Sequence, residues 1–524
     1  MLERRADRAE LKVSDARVAT VLAYHARSKH ARDRYAAGPG TLDWDAQPKA
    51  FRDWSGATQL ALPRGITVAE ITWSGLAAPR EPLPFNTQNI GSLLRLCVGL
   101  TAWKEYAGSR WSLRAHPSSG NLHPTETWLI SAGGADIEDG LYHYQNLDHA
   151  LERRAWQSDT RSTGVWLGFS SIHWREAWKY GERAFRYCQL DMGHVLAAVS
   201  YAAALHGWQP RLLATDSALL AHSLGTDRAD DFVGVESEEA EVIVALHGTE
   251  NAFPMDWKNW AGKPSLLDAK PLYQWPVIEE VAAATRGTPP ATSPVSAHPI
   301  AAEVCSDDIH AAQVILKRRS AQAFDGQSVM PQAVFKRILA GLLPGGSPVW
   351  NMWTCAPRVH PVLLVHRVEG VVPGVYALPR SESAHTLLQT AFRETFAWER
   401  MDAELPLYQL IAARAGKTAR TLSCHQDIAM QGAITFMMVA EFAAPIAAAP
   451  AAYRHLHWEA GMLGHIITLE AEAAGWRGTG IGCFFDDAVH EVLGIKNDMF
   501  QVIYHYAVGM ALDDPRISTL PAYE

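Results

Sequence analysis

The sequence predicts an α+β fold in which two similar units, each an antiparallel or mixed sheet flanked by helices, follow one another along the chain. Its 524 residues exceed what one hydrophobic core usually holds, so two or more domains are expected. Around a long apolar helix, four residues recur 268 positions later: Arg186, Gly193, Gly207 and Trp208 return as Arg454, Gly461, Gly475 and Trp476. Because the order of elements also repeats, duplication explains the agreement better than chance does.

An N-terminal extension, residues 1–80, precedes the first unit, which is expected to span residues 81–285. A helical pattern runs from Val13 to Tyr24, and the rest of the extension is rich in Pro, Gly and Trp. The pattern within the first unit predicts a helix from Thr87 to Trp103, strands from Thr125 to Ser131 and Gly140 to Tyr144, an apolar helix from Met192 to His206, and a buried strand from Glu241 to Leu246.

A linker, residues 286–300, is predicted by four prolines among Thr, Ser and Ala, and the second unit is expected to span residues 301–524. The order of motifs in the second unit repeats that of the first. His123-Pro124 before a strand returns as His360-Pro361 before Val362 to Val365, and Gly140-Leu141-Tyr142 returns as Gly374-Val375-Tyr376.

Composition and charge exclude several classes of function. The net charge of -9 and the pI near 6.2 lack the basic character that nucleic-acid binding requires. The charged N-terminus has no apolar stretch behind it, and the most apolar run, Ala433 to Ala452, is interrupted by Glu441 and two prolines. A cytoplasmic protein without a membrane span is therefore expected.

The cysteines and histidines predict neither a metal site nor a disulfide framework. Six cysteines occur singly: Cys97, Cys188, Cys305, Cys355, Cys424 and Cys483. Such spacing suits free thiols in a reducing compartment. The 22 histidines are not accompanied by a carboxylate pattern typical of a metal site, so core or surface histidines are expected.

The stretch from Arg477 to Asp487 is the first candidate for a cofactor site. Gly478, Thr479, Gly480, Ile481 and Gly482 alternate glycine with other residues, which lets the backbone run close to a flat ligand with its N–H groups bare. Asp486 and Asp487 then stand where a helix would be capped. An ordinary turn is the alternative.

The two units differ where such chemistry would lie. Only the second carries Lys317-Arg318-Arg319-Ser320, in which two guanidinium groups and a hydroxyl could clamp an anion. Only the first carries Pro117-Ser118-Ser119-Gly120-Asn121, a turn with two hydroxyls and an amide for the polar edge of a ring or a polyol. A solvated basic patch and a plain polar turn are the respective alternatives.

Lys179 and Tyr180 form a candidate proton-transfer pair before the long helix of the first unit. Partial burial would suit the pair if it lowered both pKa values. Surface charge at a helix start is the alternative. In the second unit the corresponding stretch, Ala447 to Arg454, contains no lysine.

Together these segments resemble the nitroreductase superfamily of FMN enzymes, and more closely its SagB/ThcOx-type branch, the azoline dehydrogenases of thiazole- and oxazole-forming peptide pathways. The resemblance rests on Arg318-Arg319-Ser320, Pro117 to Asn121, Gly478 to Phe484 with Asp486-Asp487, and Lys179-Tyr180-Gly181. Tyr24-His25, Leu42-Asp43-Trp44 and Gln47-Pro48 in the extension are also similar to that branch.

The resemblance implies a site shared between two units. Family members are usually homodimers with two FMN sites at the interface, each built from both subunits. Here one composite site is complete, so an intramolecular pseudo-dimer with one FMN per chain is expected. The resemblance places the phosphate near Arg318 and Arg319, the glycine stretch near flavin N5 and O4, and Arg516 as a further phosphate contact.

Three functions follow from the resemblance. The leading one is an FMN-dependent dehydrogenase of a peptide-derived or small heterocyclic substrate, in which Lys179 and Tyr180 assist deprotonation while hydride passes to flavin N5. The alternatives are an NAD(P)H-dependent nitro- or quinone reductase and a non-catalytic flavin-binding partner in a biosynthetic complex. The sequence leaves open the substrate, the electron acceptor and whether the fused pair associates further.

Overall fold

A computed structural model describes residues 16–158, 162–249, 252–288, 309–353 and 355–523. Most of the predicted linker, Cys305 and the first part of the predicted N-terminal helix lie outside these ranges. No helix in the described ranges is long and apolar enough to cross a membrane.

The helices, numbered in chain order, are α1 (16–27), α2 (Thr87–Cys97), α3 (His173–Tyr180), α4 (Ala184–Leu205), α5 (Ser217–Leu224), α6 (Pro276–Ala284), α7 (Ala311–Lys317), α8 (Gln332–Leu342), α9 (Val349–Met352), α10 (Glu382–Ala391), α11 (Gly416–Leu422), α12 (Asp427–Gln431), α13 (Ala443–Ala448), α14 (Ala452–Ala473) and α15 (Asp486–Leu493).

The strands are β1 (Trp54–Ser55), β2 (Thr58–Ala61), β3 (Leu100–Tyr106), β4 (Ser109–Arg114), β5 (Thr125–Ala132), β6 (Gly140–Gln145), β7 (Ala150–Ser158), β8 (Gly164–Ser171), β9 (Arg211–Leu212), β10 (Glu239–Ala245), β11 (Trp257–Trp260), β12 (Lys263–Pro264), β13 (Val359–Val365), β14 (Gly374–Ala377), β15 (Glu399–Arg400), β16 (Tyr408–Ala412), β17 (Ile434–Glu441), β18 (Arg477–Ile481), β19 (Phe500–Gly509) and β20 (Ser518–Leu520).

Two large antiparallel sheets, one in each half of the chain, confirm the predicted fold class. The first has the order β11-β7-β6-β5-β8-β10-β9, with β2 added against β7, and the second has the order β15-β16-β14-β13-β17-β19-β18. The central strands β5, β6, β8, β13 and β14 are buried along their whole length, as expected for sheets covered by helices. The path β7-β6-β5-β8-β10-β9 corresponds strand for strand to β16-β14-β13-β17-β19-β18.

Helices α4 and α14 hold the two halves together. Each has 22 residues, and both are almost completely buried, as expected for helices that are apolar on nearly every side. They cross at Gly193 and Gly461. A Cβ built on Gly193 would lie 2.1 Å from the carbonyl oxygen of Trp458, and one built on Gly461 would lie 2.1 Å from that of Leu190. The backbones therefore touch at the crossing.

The N-terminal extension contacts both halves. Arg27 of α1 forms an ion pair with Glu182 of the first half, and Lys29 donates to Asp487 of the second at 2.7 Å. Strand β2 pairs with β7, so the later part of the extension does lie against the first sheet. At the other end of the chain, β20 pairs with β3.

Three helices differ in extent from the predictions. Helix α1 continues to residue 27, beyond the predicted end at Tyr24. Helix α2 ends at Cys97, because the chain turns sharply into β3 at Gly99, where a Cβ would lie 2.7 Å from Arg95 Cα. Helix α4 begins at Ala184, eight residues before the predicted Met192. Its first turns contain buried polar residues such as Gln189 and Asp191. An apolar pattern in the sequence therefore does not show where the helix begins.

Candidate functional site

A cavity of about 1120 Å³ lies between the two halves, and we call it the interface cavity. Residues of both halves line it. The first half contributes residues 116–121, Lys179, Tyr180, Arg183, Tyr187, Asp191 and His194, and the second contributes residues 317–322, 479–483, Cys424, Tyr504 and 512–515. The predicted residues are thus brought together, except for Gly478 and Arg516, which do not line the cavity.

Arg318 and Arg319 lie at the C-terminal end of α7, on one wall. Arg318 is 3% exposed and donates to the carbonyl oxygens of Ala115 at 2.9 Å and Arg114 at 3.0 Å. Arg319 donates to Thr101 Oγ1 at 3.3 Å and to nearby carbonyl oxygens. Within the described residues neither guanidinium forms an ion pair. Burial lowers the pKa of Arg318 to about 10, a sign of buried cationic charge that favours an anion.

The turn of residues 117–121, which we call the serine turn, faces the same cavity and is held by Asp191 of α4. Ser118 Oγ donates to Asp191 at 2.6 Å, and Ser119 donates through its backbone N at 3.0 Å and through Oγ at 2.9 Å. Burial raises the pKa of Asp191 to about 7 in spite of these bonds. Asn121 Nδ2 donates to the carbonyl oxygen of Ser112 at 2.9 Å. The serine hydroxyls remain able to accept hydrogen bonds from a ligand.

The glycine stretch is an edge strand, β18, rather than the loop or turn expected from the sequence. Its glycines are required by tyrosines that pack against it. A Cβ on Gly478 would lie 2.7 Å from the Tyr506 ring, and one on Gly480 would lie 2.0 Å from Tyr504 Oη. Beyond the strand, a Cβ on Gly482 would lie 2.3 Å from the Tyr187 ring. Alternating glycines therefore leave room for three tyrosine rings, of which Tyr504 and Tyr187 form part of the cavity wall.

The two aspartates after this stretch also differ from their expected role. Phe485 is the N-cap of α15, and Asp486 lies in the first turn of the helix. Asp486 is fully buried and accepts from Arg183 at 3.0 Å and Arg186 at 2.9 Å, both on the first half. These partners hold the pKa of Asp486 far below its usual range in spite of burial. The aspartate thus links the two halves instead of capping a helix.

Lys179 and Tyr180 end helix α3 and lie beside the serine turn. A Cβ on Gly120 would lie 2.5 Å from Tyr180 Oη and 3.1 Å from Lys179 Nζ. Lys179 Nζ also lies 5.5 Å from the ring centre of Trp44 in the N-terminal extension. Both side chains are half-buried, so neither is a simple surface charge.

The expectation that burial would lower both pKa values is wrong for Tyr180. Burial lowers the pKa of Lys179, because its charged form is protonated. The same burial raises the pKa of Tyr180 well above its ordinary value, because its charged form is the phenolate. Burial therefore makes the Lys179 ammonium easier to deprotonate and the Tyr180 phenol harder to deprotonate.

Sequence reasoning missed two carboxyl groups of the site. Glu176, one helical turn before Lys179, is fully buried, and neither oxygen has a hydrogen-bond partner among the described residues. Burial raises its pKa well above the usual range, with a further contribution from Asp191. The three-residue spacing from Lys179 could have indicated Glu176. Asp191 could have been found as an acidic residue in an otherwise apolar helix.

Arg516 lies away from the cavity. Its guanidinium, 67% exposed, pairs with Asp514 at 2.6 Å and lies over the Tyr106 ring at 5.1 Å. The structure therefore does not place Arg516 with the arginine pair. Arg477 lines the cavity and is paired with Asp513 at 2.5 Å.

The residues present fit a phosphorylated aromatic cofactor such as FMN. The cavity volume lies at or above the range usual for small-molecule sites. Arg318 and Arg319 supply buried cationic charge without a carboxylate partner among the described residues, and the serine turn supplies hydroxyls that line the same cavity. In the described ranges no cluster of His, Cys, Asp and Glu could hold a metal ion.

Comparisons with known proteins address the fold. Residues 315–510 match the model of the Nitroreductase family. A putative nitroreductase from Anabaena variabilis ATCC 29413 superposes with a TM-score of 0.69 and 23% identity, covering 94% of this chain and 99% of that one. No curated protein sequence matches the chain.

Two further solved structures match parts of the chain. A putative nitroreductase from Ralstonia eutropha JMP134 has 15% identity and a TM-score of 0.28, over 43% of this chain and all of that one. A chain of the E. coli microcin synthetase McbBCD complex with truncated pro-MccB17 has 19% identity and a TM-score of 0.27, over 46% of this chain and 97% of that one. The protein thus has the fold of nitroreductases, and its residues 315–510 form a Nitroreductase family domain.

Proposed function

We propose that the protein is an FMN-dependent dehydrogenase that oxidises a peptide-derived or small heterocyclic substrate of the azoline type. The observation that carries the proposal is the position of Lys179 Nζ and Tyr180 Oη, which meet at Gly120 of the serine turn. Both atoms therefore face the same cavity as the arginine pair. A protein that only binds a cofactor has no need of a proton-transfer pair at this position.

The chain's own groups can perform the proton transfer. The lowered pKa of Lys179 increases the fraction of neutral amine near neutral pH, so that Nζ can accept a proton from a substrate carbon. Tyr180 keeps its proton and can donate a hydrogen bond to a substrate heteroatom. When bound, FMN would supply the acceptor for the hydride that leaves the substrate.

Specific residues would hold the cofactor. Arg318, Arg319 and Ser320 would bind the phosphate, and Ser118, Ser119 and Asn121 would bind other polar groups of the cofactor. The backbone of residues 479–482 would line one edge of the ring system. Burial around Lys179 limits access of water, which favours transfer between bound groups over exchange with solvent.

We further propose that residues 81–285 and 301–524 are a fused pseudo-dimer with one flavin site. The identical strand paths and the paired glycines at the crossing of α4 and α14 support this proposal. Glu459 lies 268 positions after Asp191 and accepts from the backbone N of Arg358 at 3.1 Å and from Arg380. Arg380 is buried under Trp350, so an arginine occupies the region where the opposite site would need a serine turn.

The role of Lys179 can be tested by substitution. Lys179→Ala should abolish oxidation of a thiazoline-containing model peptide while FMN stays bound, and Lys179→Arg should fail as well, because guanidinium does not lose its proton. Lys417→Ala, an exposed change on α11, is the matched control and should keep full activity. Unchanged turnover of Lys179→Ala would remove the proposed role.

The number of flavins and their reduction test the rest of the proposal. Flavin absorbance measured against protein mass should give one FMN per chain, and two per chain would contradict the single composite site. Reduction of the bound flavin by NAD(P)H should be very slow. Rapid bleaching by NAD(P)H would instead support the nitro- or quinone reductase.

A further inference from the structure

Two cysteines that are 59 positions apart in sequence meet at the rim of the interface cavity. Cys424 follows α11, and Cys483 follows the edge strand β18; both line the cavity. The two thiols are close enough to interact, and the interaction raises the pKa of Cys424 and lowers that of Cys483. The other described cysteines, Cys97, Cys188 and Cys355, are buried.

Hydrogen bonds hold the two segments against each other on both sides of Cys424. Phe485 N donates to the carbonyl oxygen of Leu422 at 2.8 Å, and Gln426 Nε2 donates to the carbonyl oxygen of Cys483 at 3.1 Å. The loop between these bonds is strained: Cys424 has φ 51° and His425 has φ 62°, in the left-handed region that residues other than glycine rarely adopt. The two hydrogen bonds hold the loop that carries Cys424 against the segment that carries Cys483.

The surroundings activate Cys483 rather than Cys424. His30 accepts at Nδ1 from the backbone N of Ala36 at 2.9 Å, so its proton lies on Nε2, which is left to donate to Cys483. Arg183 lies nearby and bonds the carbonyl oxygen of Gly482 at 3.1 Å. Hydrogen bonds from Cys424 and His30 lower the pKa of Cys483 to about 5, whereas the pKa of Cys424 is raised. These surroundings favour the thiolate on Cys483 and the thiol on Cys424.

We propose that Cys424 and Cys483 are a redox-active dithiol that exchanges with low-molecular-weight disulfides at the rim of the cavity. The Cys483 thiolate attacks one sulfur of a disulfide such as oxidised glutathione. The S–S bond of that molecule breaks, one glutathione leaves as a thiol after taking up a proton, and a mixed disulfide remains on Cys483.

Cys424 completes the exchange. Its thiol loses its proton to solvent or to the departing thiolate, and its sulfur attacks Cys483, releasing the second glutathione. One disulfide is reduced to two thiols while two protein thiols are oxidised to one disulfide, so atoms and electrons balance. The step does not involve FMN and does not depend on the proposed function. Its product would tie the loop after α11 to the segment that follows β18.

Intact-mass analysis of the full-length protein, incubated with oxidised glutathione after reduction and desalting, tests the proposal. The wild type should lose the mass of two hydrogen atoms, and peptide mapping without reductant should join the peptides of Cys424 and Cys483. Cys424→Ser should stop at one glutathione adduct on Cys483. Cys483→Ser should form neither product, and the control Cys355→Ala should behave as the wild type.

Alkylation provides a second measurement that does not depend on either serine variant. Iodoacetamide at pH 6 should modify Cys483 of the wild type roughly tenfold faster than any other cysteine. Equal rates at all cysteines would overturn the proposal. Absence of any mass change with oxidised glutathione, a disulfide that involves other cysteines, or a disulfide between two chains would overturn it as well.

Discussion

The contact between Gly193 and Gly461 allows a quantitative test of how the two halves are joined. Each added Cβ would lie 2.1 Å from a carbonyl oxygen of the facing helix and 2.9 Å from the Cα of the facing glycine. An ordinary contact begins at 3.4 Å, so a single alanine would require α4 and α14 to separate by about 1.3 Å locally. Overpacking of this kind costs about 1–3 kcal/mol in the free energy of unfolding.

The two substitutions should not be additive. Once Gly193→Ala has moved the helices apart, Gly461→Ala meets less resistance, so the double variant should lose less stability than the two single variants together, by at least about 0.5 kcal/mol. Urea denaturation, followed by tryptophan fluorescence, gives the free energy of unfolding of the wild type, the two single variants and the double variant. Affinity for the proposed cofactor FMN should also fall, because α4 carries Tyr187, Asp191 and His194 into the cavity wall.

Gly65→Ala is the matched control, because nothing lies within 4 Å of a Cβ at that position. It should unfold at or slightly above the wild-type urea concentration. Wild-type midpoints for both Gly193→Ala and Gly461→Ala would refute the close approach of the backbones. Strict additivity would show that the two glycines act at separate places.

Three further predictions concern the interface cavity. Gly480→Ala should displace Tyr504, whose Oη would lie 2.0 Å from the new Cβ, and lower FMN occupancy as measured by absorbance. Arg319→Ala should weaken FMN binding by the loss of about 1.5–3 kcal/mol, whereas Arg516→Ala should leave a fluorescence titration unchanged. Folding raises the pKa of Asp191 from 3.8 to about 7, so the folded state holds the carboxyl proton more tightly than the unfolded state does. The resulting contribution to the free energy of unfolding, up to about 4 kcal/mol, is present below pH 4 and is lost as the pH rises to 7. Urea midpoints of the wild type should therefore fall relative to Asp191→Asn over this range, and parallel profiles would contradict the shift.

A covered antiparallel sheet and a long buried helix in each half of the chain were predictable because their signals are local. Gly193 and Gly461 stand at equal places in two helices of equal length, and both are needed for the same contact. The strands with continuous apolar runs were also predictable, since such runs are typical of covered sheets. Helix ends were less predictable where buried polar residues such as Gln189 interrupt the apolar pattern.

The detail of the candidate site was less predictable because it depends on contacts between distant segments. Alternating glycines indicate that space is needed but not what fills it, and here tyrosine rings fill part of it. Asp486 was expected to cap a helix, yet its partners lie about 300 positions earlier in the chain. Cys424 and Cys483 were expected to be unrelated thiols, since only the fold brings them together.

The pairing of β20 with β3 has a consequence for how the protein is made. Residues 513–519 follow both sheets in the chain, and several of them line the interface cavity. During synthesis, the first half is made before this segment. The edge of β3 that pairs with β20 in the folded protein therefore has no partner strand at that stage. The cavity wall can be completed only after the sheet of the second half has been synthesised. A cofactor that requires this wall would therefore bind late, and its arrival would report that both halves have assembled.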